Sequence, residues 1–323
     1  WPTLNLKFES HLFMPDIERG PKNFCTLVEK LSQGKVKISL YPGGAIVPPA
    51  EMLNALRTGI LDIVETSEGY FAGQVPGTDP AGGLPFAFRS VWESWMFMWH
   101  RGYLEIMREQ YAKHNAYFLP WECSITGLMT KKPINQIDDL KGMKIRGWGS
   151  MGEWVNKCGA STVMIPGGEL YAALATGVAD GAHWGDAGPS YLMKLHEVLK
   201  YYMVPEPIQG NWLNVYINMN VWNKFSPEEK LQIELAAMAS SMRGIASTRV
   251  MRERCLDKMV KDFGVTVVTL PPKEIEKGTK LAVESWQGIA NKNPVNAKVV
   301  EMIKAFMNEK DVIPQAGQLA DKL

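Results

Sequence analysis

Three glycines in the segment "RGWGSMG" have the spacing of a loop that cradles the phosphates of a dinucleotide. Gly147, Gly149 and Gly152 fit the pattern GxGxxG between a predicted strand and a predicted helix, with Glu169 about 20 residues beyond. Two features oppose this interpretation. The preceding strand, "KGMKIR", is too polar for a buried first strand, and Glu169 follows a Pro-Gly-Gly turn, where a helix begins. An NAD-linked oxidoreductase is therefore kept only as the alternative function.

Other enzyme motifs are incomplete. Trp148 occupies the position of the first glycine in the hydrolase elbow GxSxG. The five histidines are scattered and form no HExxH pair. His183 and Asp186 both carry metal-binding atoms, but two residues do not make a metal site. The pattern predicts a protein that is not an enzyme and has no metal or cofactor.

Arg146 is the strongest candidate for ligand binding. It lies at the carboxyl end of the predicted strand "MKIR", where open α/β sheets bind their ligands. A guanidinium group can hold a carboxylate through two parallel hydrogen bonds. The alternative interpretation of Arg146 is a surface ion pair.

Further polar and aromatic residues follow the predicted strand ends in both halves of the chain. The second half contributes Trp148, His183, Trp184 and Asp186, and the first contributes Glu65, Thr66 and Tyr70. A site assembled from both sets would lie in a cleft between two lobes.

A repeated phrase indicates that the two halves are built alike. "ALRTGILDI" begins at Ala55 and "ALATGVADG" at Ala173. In each half the phrase ends a helix at a left-handed glycine and enters a strand, within a β-α-β-α-β order that implies parallel strands. Asp62 and Asp180 are predicted to be scaffold residues that bind nearby backbone groups.

Length and composition favour a two-lobed α/β protein. A chain of 323 residues is longer than one compact core usually needs. The 35 basic and 34 acidic residues nearly cancel, which argues against nucleic-acid binding. No apolar run reaches the ~18 residues of a membrane span, and no signal peptide is evident. The four cysteines form no CxxC pair, so free thiols and a single disulfide both remain open.

The segment from Ser226 to Gly264 predicts one long helix. Ser226 is a suitable N-cap, Pro227 follows at the first helical position, and a glycine closes the segment. At ~1.5 Å per residue the helix would be roughly 50 Å long. It could therefore lie across both lobes.

Several segments, in order, resemble the DctP-type solute-binding proteins of tripartite ATP-independent periplasmic (TRAP) transporters. They are "FCTLVEKLSQGKVKISLYPGGAI", "EMLNALRTGILDI", "LPFAF", "KKPINQIDDLKGMKIRG", "ALATGVADG" and "HEVLKYY". The resemblance implies a periplasmic two-lobe binding protein whose lobes are mainly parallel sheets flanked by helices, with a long bracing helix. It also implies delivery of the ligand to a membrane permease, and it makes Arg146 the residue that grips a carboxylate. Lobe I is expected to comprise residues 1–122 plus about 211–245, and lobe II residues 123–210 plus about 246–323.

Within this family, the chain most resembles the branch that binds 2-oxo acids or lactate with a metal ion. The resemblance lies in the segments "IPGGELYAAL" and "KYYMVPEP". That branch has acids at the position of His183 and near Gln209, and a glutamine near Ile125 and Thr126. The loss of two carboxylates should severely weaken a divalent cation site. Direct capture by Arg146 is therefore expected, with Trp184, Trp148, Trp212 and Trp121 as walls. Thr126 and Gln209 complete the candidate ligand-binding residues.

The expected ligand is a small monocarboxylate, with an aromatic or indole-type amino or oxo acid favoured by the 11 tryptophans. A small sulfonate is an alternative, because an arginine binds both kinds of anion. A structural or sensory module without a ligand is a third class.

Overall fold

The computed structural model describes residues 3–12, 16–81 and 83–311. Within these ranges it contains ten strands. They are β1 (Leu4–Ser10), β2 (Val36–Tyr41), β3 (Ile63–Ser67), β4 (Ala116–Thr130), β5 (Lys144–Arg146), β6 (Ser161–Val163), β7 (Gly181–Gly185), β8 (Tyr201–Val204), β9 (Ile208–Asn218) and β10 (Thr266–Thr269).

Fourteen α-helices accompany these strands in the same part of the chain. They are α1 (Asp16–Arg19), α2 (Pro21–Leu31), α3 (Met52–Thr58), α4 (Thr78–Ala81), α5 (Val91–His100), α6 (Tyr103–Ala112), α7 (Gly149–Lys157), α8 (Gly167–Ala175), α9 (Ala187–Leu192), α10 (Leu195–Val198), α11 (Met219–Trp222), α12 (Pro227–Phe263), α13 (Pro272–Ala290) and α14 (Pro294–Asp311). Short 3₁₀ turns cover Pro49–Glu51, Glu68–Phe71 and Ile137–Leu140.

Two parallel triplets of strands form the centres of the two lobes. In the first, β1 lies between β2 and β3; in the second, β5 lies between β6 and β7. The first strand of each triplet is thus central, and helices cross over to both neighbours. The predicted α/β two-lobe fold with two similarly built halves is confirmed.

A long antiparallel ribbon of β4 and β9 joins the triplets into one ten-stranded sheet. β3 pairs with β9, and β7 pairs with β4. The sequence pattern "AYFLPWEC" predicts a strand over the first part of β4, and β9 is not predicted. Pro120 lies inside β4, but the pairing with β9 continues past it through two shifts of register, at Pro120/Glu122 and at Ser124/Thr126.

The repeated phrase has the same structural role in both lobes. Gly59 and Gly177 both adopt the left-handed conformation, with φ of 80° and 81°. The carboxylate of Asp62 accepts a hydrogen bond of 2.8 Å from the backbone N–H of Lys7 in β1. The carboxylate of Asp180 accepts one of 2.9 Å from Lys144 in β5. Each aspartate therefore ties the third strand of its triplet to the first, as predicted for a scaffold residue.

Helix α12 spans both lobes, as predicted. The side chain of Ser226 caps its first turn in a reciprocal arrangement with Glu229, and Gly264 ends it with a φ of 68°. Ala237 packs into the core that surrounds β1 and β3, whereas Met259 packs into the core beside β7 and β8. A stripe of small residues around Gly244 lets the helix approach β4 closely, since an added Cβ there would lie 2.7 Å from Glu122.

Two helical regions differ from what the sequence pattern predicts. The stretch from Ser90 to His114 reads as one helical segment in the sequence, but Gly102, with a φ of 79°, separates α5 from α6. The pattern indicates a last helix directly after Pro271, but α14 follows that helix. Cys25, Cys123 and Cys158 are buried free thiols. Among the described residues, no helix is both long and apolar enough to span a membrane.

A buried carboxylic acid lies in the first lobe, directly before residues that reach the cleft. Glu68 is inaccessible to solvent and accepts hydrogen bonds from Tyr111 (2.6 Å), Asn214 (2.7 Å) and Tyr216 (2.7 Å). Burial raises the pKa of Glu68 to about 7, although the three hydrogen bonds act in the opposite direction.

Replacing Asp62 or Asp180 by Ala removes the acceptor of a backbone N–H in a neighbouring strand. We expect each substitution to lower the free energy of unfolding by about 1 kcal/mol, measured by urea denaturation. Asp257→Ala is a suitable control, because this carboxylate only pairs with Lys261 on the surface of α12. Losses no greater than that of the control would contradict the scaffold role.

The acid at Glu68 should make stability depend on pH. Because its pKa is higher in the folded state, the folded protein keeps a proton that the unfolded chain loses, and this contribution to stability disappears as pH rises toward 7. Glu68→Gln has no such proton. The free energy of unfolding of the variant relative to the natural chain should therefore increase by about 1 kcal/mol per pH unit between pH 5 and 7. If the free energy of unfolding of the exposed variant Glu109→Gln, relative to the natural chain, changed with pH in the same way, Glu68 would not be responsible.

Candidate functional site

The candidate site is a cavity of about 250 Å³ between the carboxyl ends of the two parallel triplets. Its walls come from the turn after β3, the segment after β5, the end of β7 and the start of β9. The lining residues are Gly69, Tyr70, Ala72, Asp79, Trp148, Gly149, Ser150, Met151, Met164, His183 and Ile208. Aromatic and apolar side chains thus form most of the wall.

Arg146, the last residue of β5, is buried beside this cavity with only 2% of its surface exposed. Its Nε donates to the carbonyl oxygen of Ile165 at 3.1 Å, and its Nη1 donates to that of His183 at 2.7 Å. The guanidinium carbon lies 4.5 Å from the ring centre of Trp148 and 4.7 Å from that of Trp184. These contacts hold the guanidinium between two indole rings.

No acidic side chain in the described part of the chain forms an ion pair with Arg146, and its Nη2 makes no hydrogen bond there. Burial lowers the pKa of Arg146 to about 10, so the group still carries its charge at neutral pH. A buried charge without a partner is costly. The arrangement therefore provides a binding position for an anion.

His183, in β7, supplies a neutral polar group to the same cavity. Its Nε2 lies 2.9 Å from the hydroxyl of Thr126 in β4. Burial, with the nearby charge of Arg146 as a second cause, lowers the pKa of His183 to about 3. The imidazole is therefore uncharged at neutral pH, and Arg146 is the source of positive charge beside it.

The two lobes touch where Trp148 meets the turn after β3. The ring centres of Tyr70 and Trp148 are 6.1 Å apart. A Cβ atom on Gly69 would lie 3.2 Å from Nε1 of Trp148, so only a glycine leaves comfortable space for the indole. Burial raises the pKa of Tyr70, which therefore keeps its proton.

Glu65 and Thr66 lie at the end of β3, on the side of the first lobe. Both are inaccessible to solvent. The Oε2 atom of Glu65 accepts a hydrogen bond of 2.5 Å from Ser10 and lies 3.2 Å from Nδ1 of His11. The ring of His11 contacts Tyr70, with 5.8 Å between centres. Glu65 is thus connected to the cavity wall through His11 and Tyr70.

Several residues predicted from the sequence lie elsewhere. Asp186 accepts a hydrogen bond of 2.8 Å from the backbone of Gly188 and caps α9. The amide of Gln209 donates to the carbonyl oxygen of Glu206 at 3.2 Å. Trp212 donates from Nε1 to Ser94, and Trp121 to Ser240, each at 2.8 Å within a hydrophobic core. Neither tryptophan lines the cavity.

Eight lining residues are not among the ligand-binding residues proposed from the sequence. They are Gly69, Ala72, Asp79, Gly149, Ser150, Met151, Met164 and Ile208. Gly149, Ser150 and Met151 belong to the glycine-rich segment after β5, which the structure places in the cavity wall. Asp79 forms an ion pair of 2.9 Å with Lys292, which balances its charge.

The donor atoms beside Arg146 do not fit a divalent metal ion. Calcium takes six to eight oxygen ligands, several of them carboxylates. In the part of the chain that the structure describes, no group of three or more His, Cys, Asp or Glu side chains could hold a metal. At the edge of the cavity the chain has the neutral His183 and the hydroxyl of Thr126 instead.

Comparison with known proteins agrees with this architecture. The family model for bacterial extracellular solute-binding protein family 7, DctP, matches residues 16–293. A monocarboxylate 2-oxoacid-binding periplasmic protein of Nostoc sp. is 25% identical over 297 residues, which cover 90% of this chain and 80% of the relative. The C4-dicarboxylate-binding periplasmic protein DctP of Rhodobacter capsulatus is 24% identical over 93% of this chain and 87% of its own length.

Among solved structures, a TRAP periplasmic solute-binding protein from Colwellia psychrerythraea with bound calcium and pyruvate is similar, with a TM-score of 0.86. The two chains are 22% identical, and the alignment covers 96% of each. This likeness supports the two-lobe fold. Because the family model matches most of the chain, the protein belongs to the DctP family, the extracellular solute-binding proteins of TRAP transporters.

Proposed function

We propose that this protein binds a small monocarboxylate in the cavity between its lobes and delivers it to a TRAP permease in the periplasm. The observation that carries the proposal is the buried guanidinium of Arg146, which has no acidic partner among the described residues. The free Nη2 and the second hydrogen of Nη1 are the groups that would hold the two carboxylate oxygens.

The cavity wall favours an acid with an apolar or aromatic body. Tyr70 and Trp148 supply ring surfaces, and Met164 and Ile208 supply flexible and branched aliphatic surfaces. A volume of about 250 Å³ suits a small molecule. An aromatic amino or oxo acid, such as an indole-type acid, meets both conditions. A small sulfonate is the second candidate, since it offers oxygens to the same guanidinium.

The names of two relatives support a carboxylate ligand. The Nostoc protein is named for monocarboxylate 2-oxo acids, and the Colwellia structure contains pyruvate. The Colwellia structure also contains calcium, whereas we propose that this chain uses Arg146 alone to balance the ligand's charge. The comparisons lend no support to the NAD-linked oxidoreductase, whose candidate loop instead contributes Trp148, Gly149 and Ser150 to the cavity.

We propose that the lobes comprise residues 1–122 with about 211–245, and 123–210 with about 246–323. Two of the proposed junctions fall in the β4–β9 ribbon, near the shift of register between Pro120 and Glu122, and the third falls within α12. Residues 1–2, 13–15, 82 and 312–323 of these ranges lie outside the described residues. Closure of the cleft would then bring Trp148 against Gly69 and Tyr70.

Arg146→Lys keeps the positive charge but removes the planar guanidinium group with its paired donors. It should weaken the binding of phenylpyruvate and pyruvate at least roughly tenfold, because a charged hydrogen bond is lost. Isothermal titration calorimetry measures this directly. Arg249→Lys, at an exposed arginine that pairs with Glu253 on α12, is the matched control and should bind normally. Equal affinities for both variants and the natural chain would disprove the role of Arg146.

Removal of metal should leave binding unchanged. After dialysis against EDTA, the affinity for phenylpyruvate should stay within roughly twofold of the starting value, because the site has no set of hard oxygen ligands. Adding calcium back should have equally little effect. A large loss that calcium restores would show that a cation takes part in binding.

A further inference from the structure

The carboxylate of Glu65 has unused hydrogen-bonding capacity at the edge of the candidate site. The side chain is inaccessible to solvent, and its Oε1 atom has no hydrogen-bond partner in the part of the chain that the structure describes. Its Oε2 atom is occupied by Ser10 and His11. An unpaired carboxylate oxygen in the interior is unfavourable, so this atom requires explanation.

No lysine or arginine among the described residues forms an ion pair with Glu65; the one basic neighbour is the ring of His11, at 3.2 Å. Arg146, on the other lobe, is a buried cation without an acidic partner among the described residues. The described part of the site therefore has a cation without an acidic partner on one side of the cleft and, on the other, a carboxylate whose Oε1 atom is unpaired.

Tyr70 lies between these two charges. Its ring contacts His11, the neighbour of Glu65, and on its other side contacts Trp148, which stacks on Arg146. The positive charge of Arg146 and the negative charge of Glu65 act on the Tyr70 hydroxyl with opposite signs. A ligand lying along Tyr70 and Trp148 would therefore have a cationic position at one end and an anionic position at the other.

We infer that the natural ligand is a zwitterion, an amino acid whose carboxylate binds Arg146 and whose ammonium group binds Oε1 of Glu65. The inference rests on the proposed carboxylate function and narrows its ligand class. An ammonium group carries three donors and a full positive charge, which matches an unpaired carboxylate oxygen. Glu65 is inaccessible to solvent, so separation of Tyr70 from Trp148 would be needed for the ligand to reach it.

The test compares ligands that differ only in the amine. Calorimetry on the full chain would measure phenylalanine against 3-phenylpropionate, and tryptophan against indole-3-propionate. We expect the natural chain to prefer the amino acid in at least one pair by tenfold or more. Glu65→Gln should remove most of this preference. Equal affinities within both pairs for the natural chain would overturn the inference, even if Glu65→Gln failed to fold.

Two further variants separate this inference from the carboxylate function. Glu68→Gln also neutralises a buried acid of the first lobe, but all of its partners are internal, so the preference for the amine should persist. Arg146→Lys should weaken both members of each pair. If Arg146→Lys acts in this way but Glu65→Gln leaves the preference intact, the zwitterion is disproved and the carboxylate function stands. If Arg146→Lys affects neither member, the carboxylate function itself fails.

Discussion

The burial of one guanidinium group is the constraint on which the site depends. Arg146 can remain charged inside the protein because two carbonyl oxygens and two indole rings replace part of its hydration. The carbonyls belong to Ile165 and His183, so three neighbouring strand ends must hold their positions together. The parallel triplet β6-β5-β7 provides this, since the carboxyl ends of its strands lie at one edge.

The rest of the fold brings a second lobe to that charge. The antiparallel ribbon of β4 and β9 continues the sheet from one triplet to the other, and α12 packs against both cores. Trp148 is one of the residues that connect the lobes: it touches Arg146 on its own side and Tyr70 across the cleft. Ligand binding and lobe contact therefore share one side chain. A change at Trp148 would affect both.

The sequence predicted the parts of the site that depend on chain order. Arg146 is the last residue of β5 and His183 lies within β7, whereas Trp148 and Tyr70 follow β5 and β3. Asp186 and Trp212 were predicted to contact the ligand but do not line the cavity. A short acid caps a helix as readily as it binds a ligand, and the sequence around a tryptophan does not show whether its ring faces a cleft or a core. Met164 and Ile208 were not predicted, because ordinary apolar residues carry no chemical signal.

The sequence by itself determined the two β-α-β-α-β halves, the helix from Pro227 to Phe263 and the family, because periodicity, caps and motifs are local properties of the chain. Only the tertiary structure decided that β4 and β9 join the halves, because strand pairing depends on partners distant in the chain. It alone also showed that, among the described residues, Arg146 has no acidic partner and Oε1 of Glu65 has no hydrogen-bond donor. Whether a charge is paired depends on side chains that converge from separate elements, and no local pattern records that convergence.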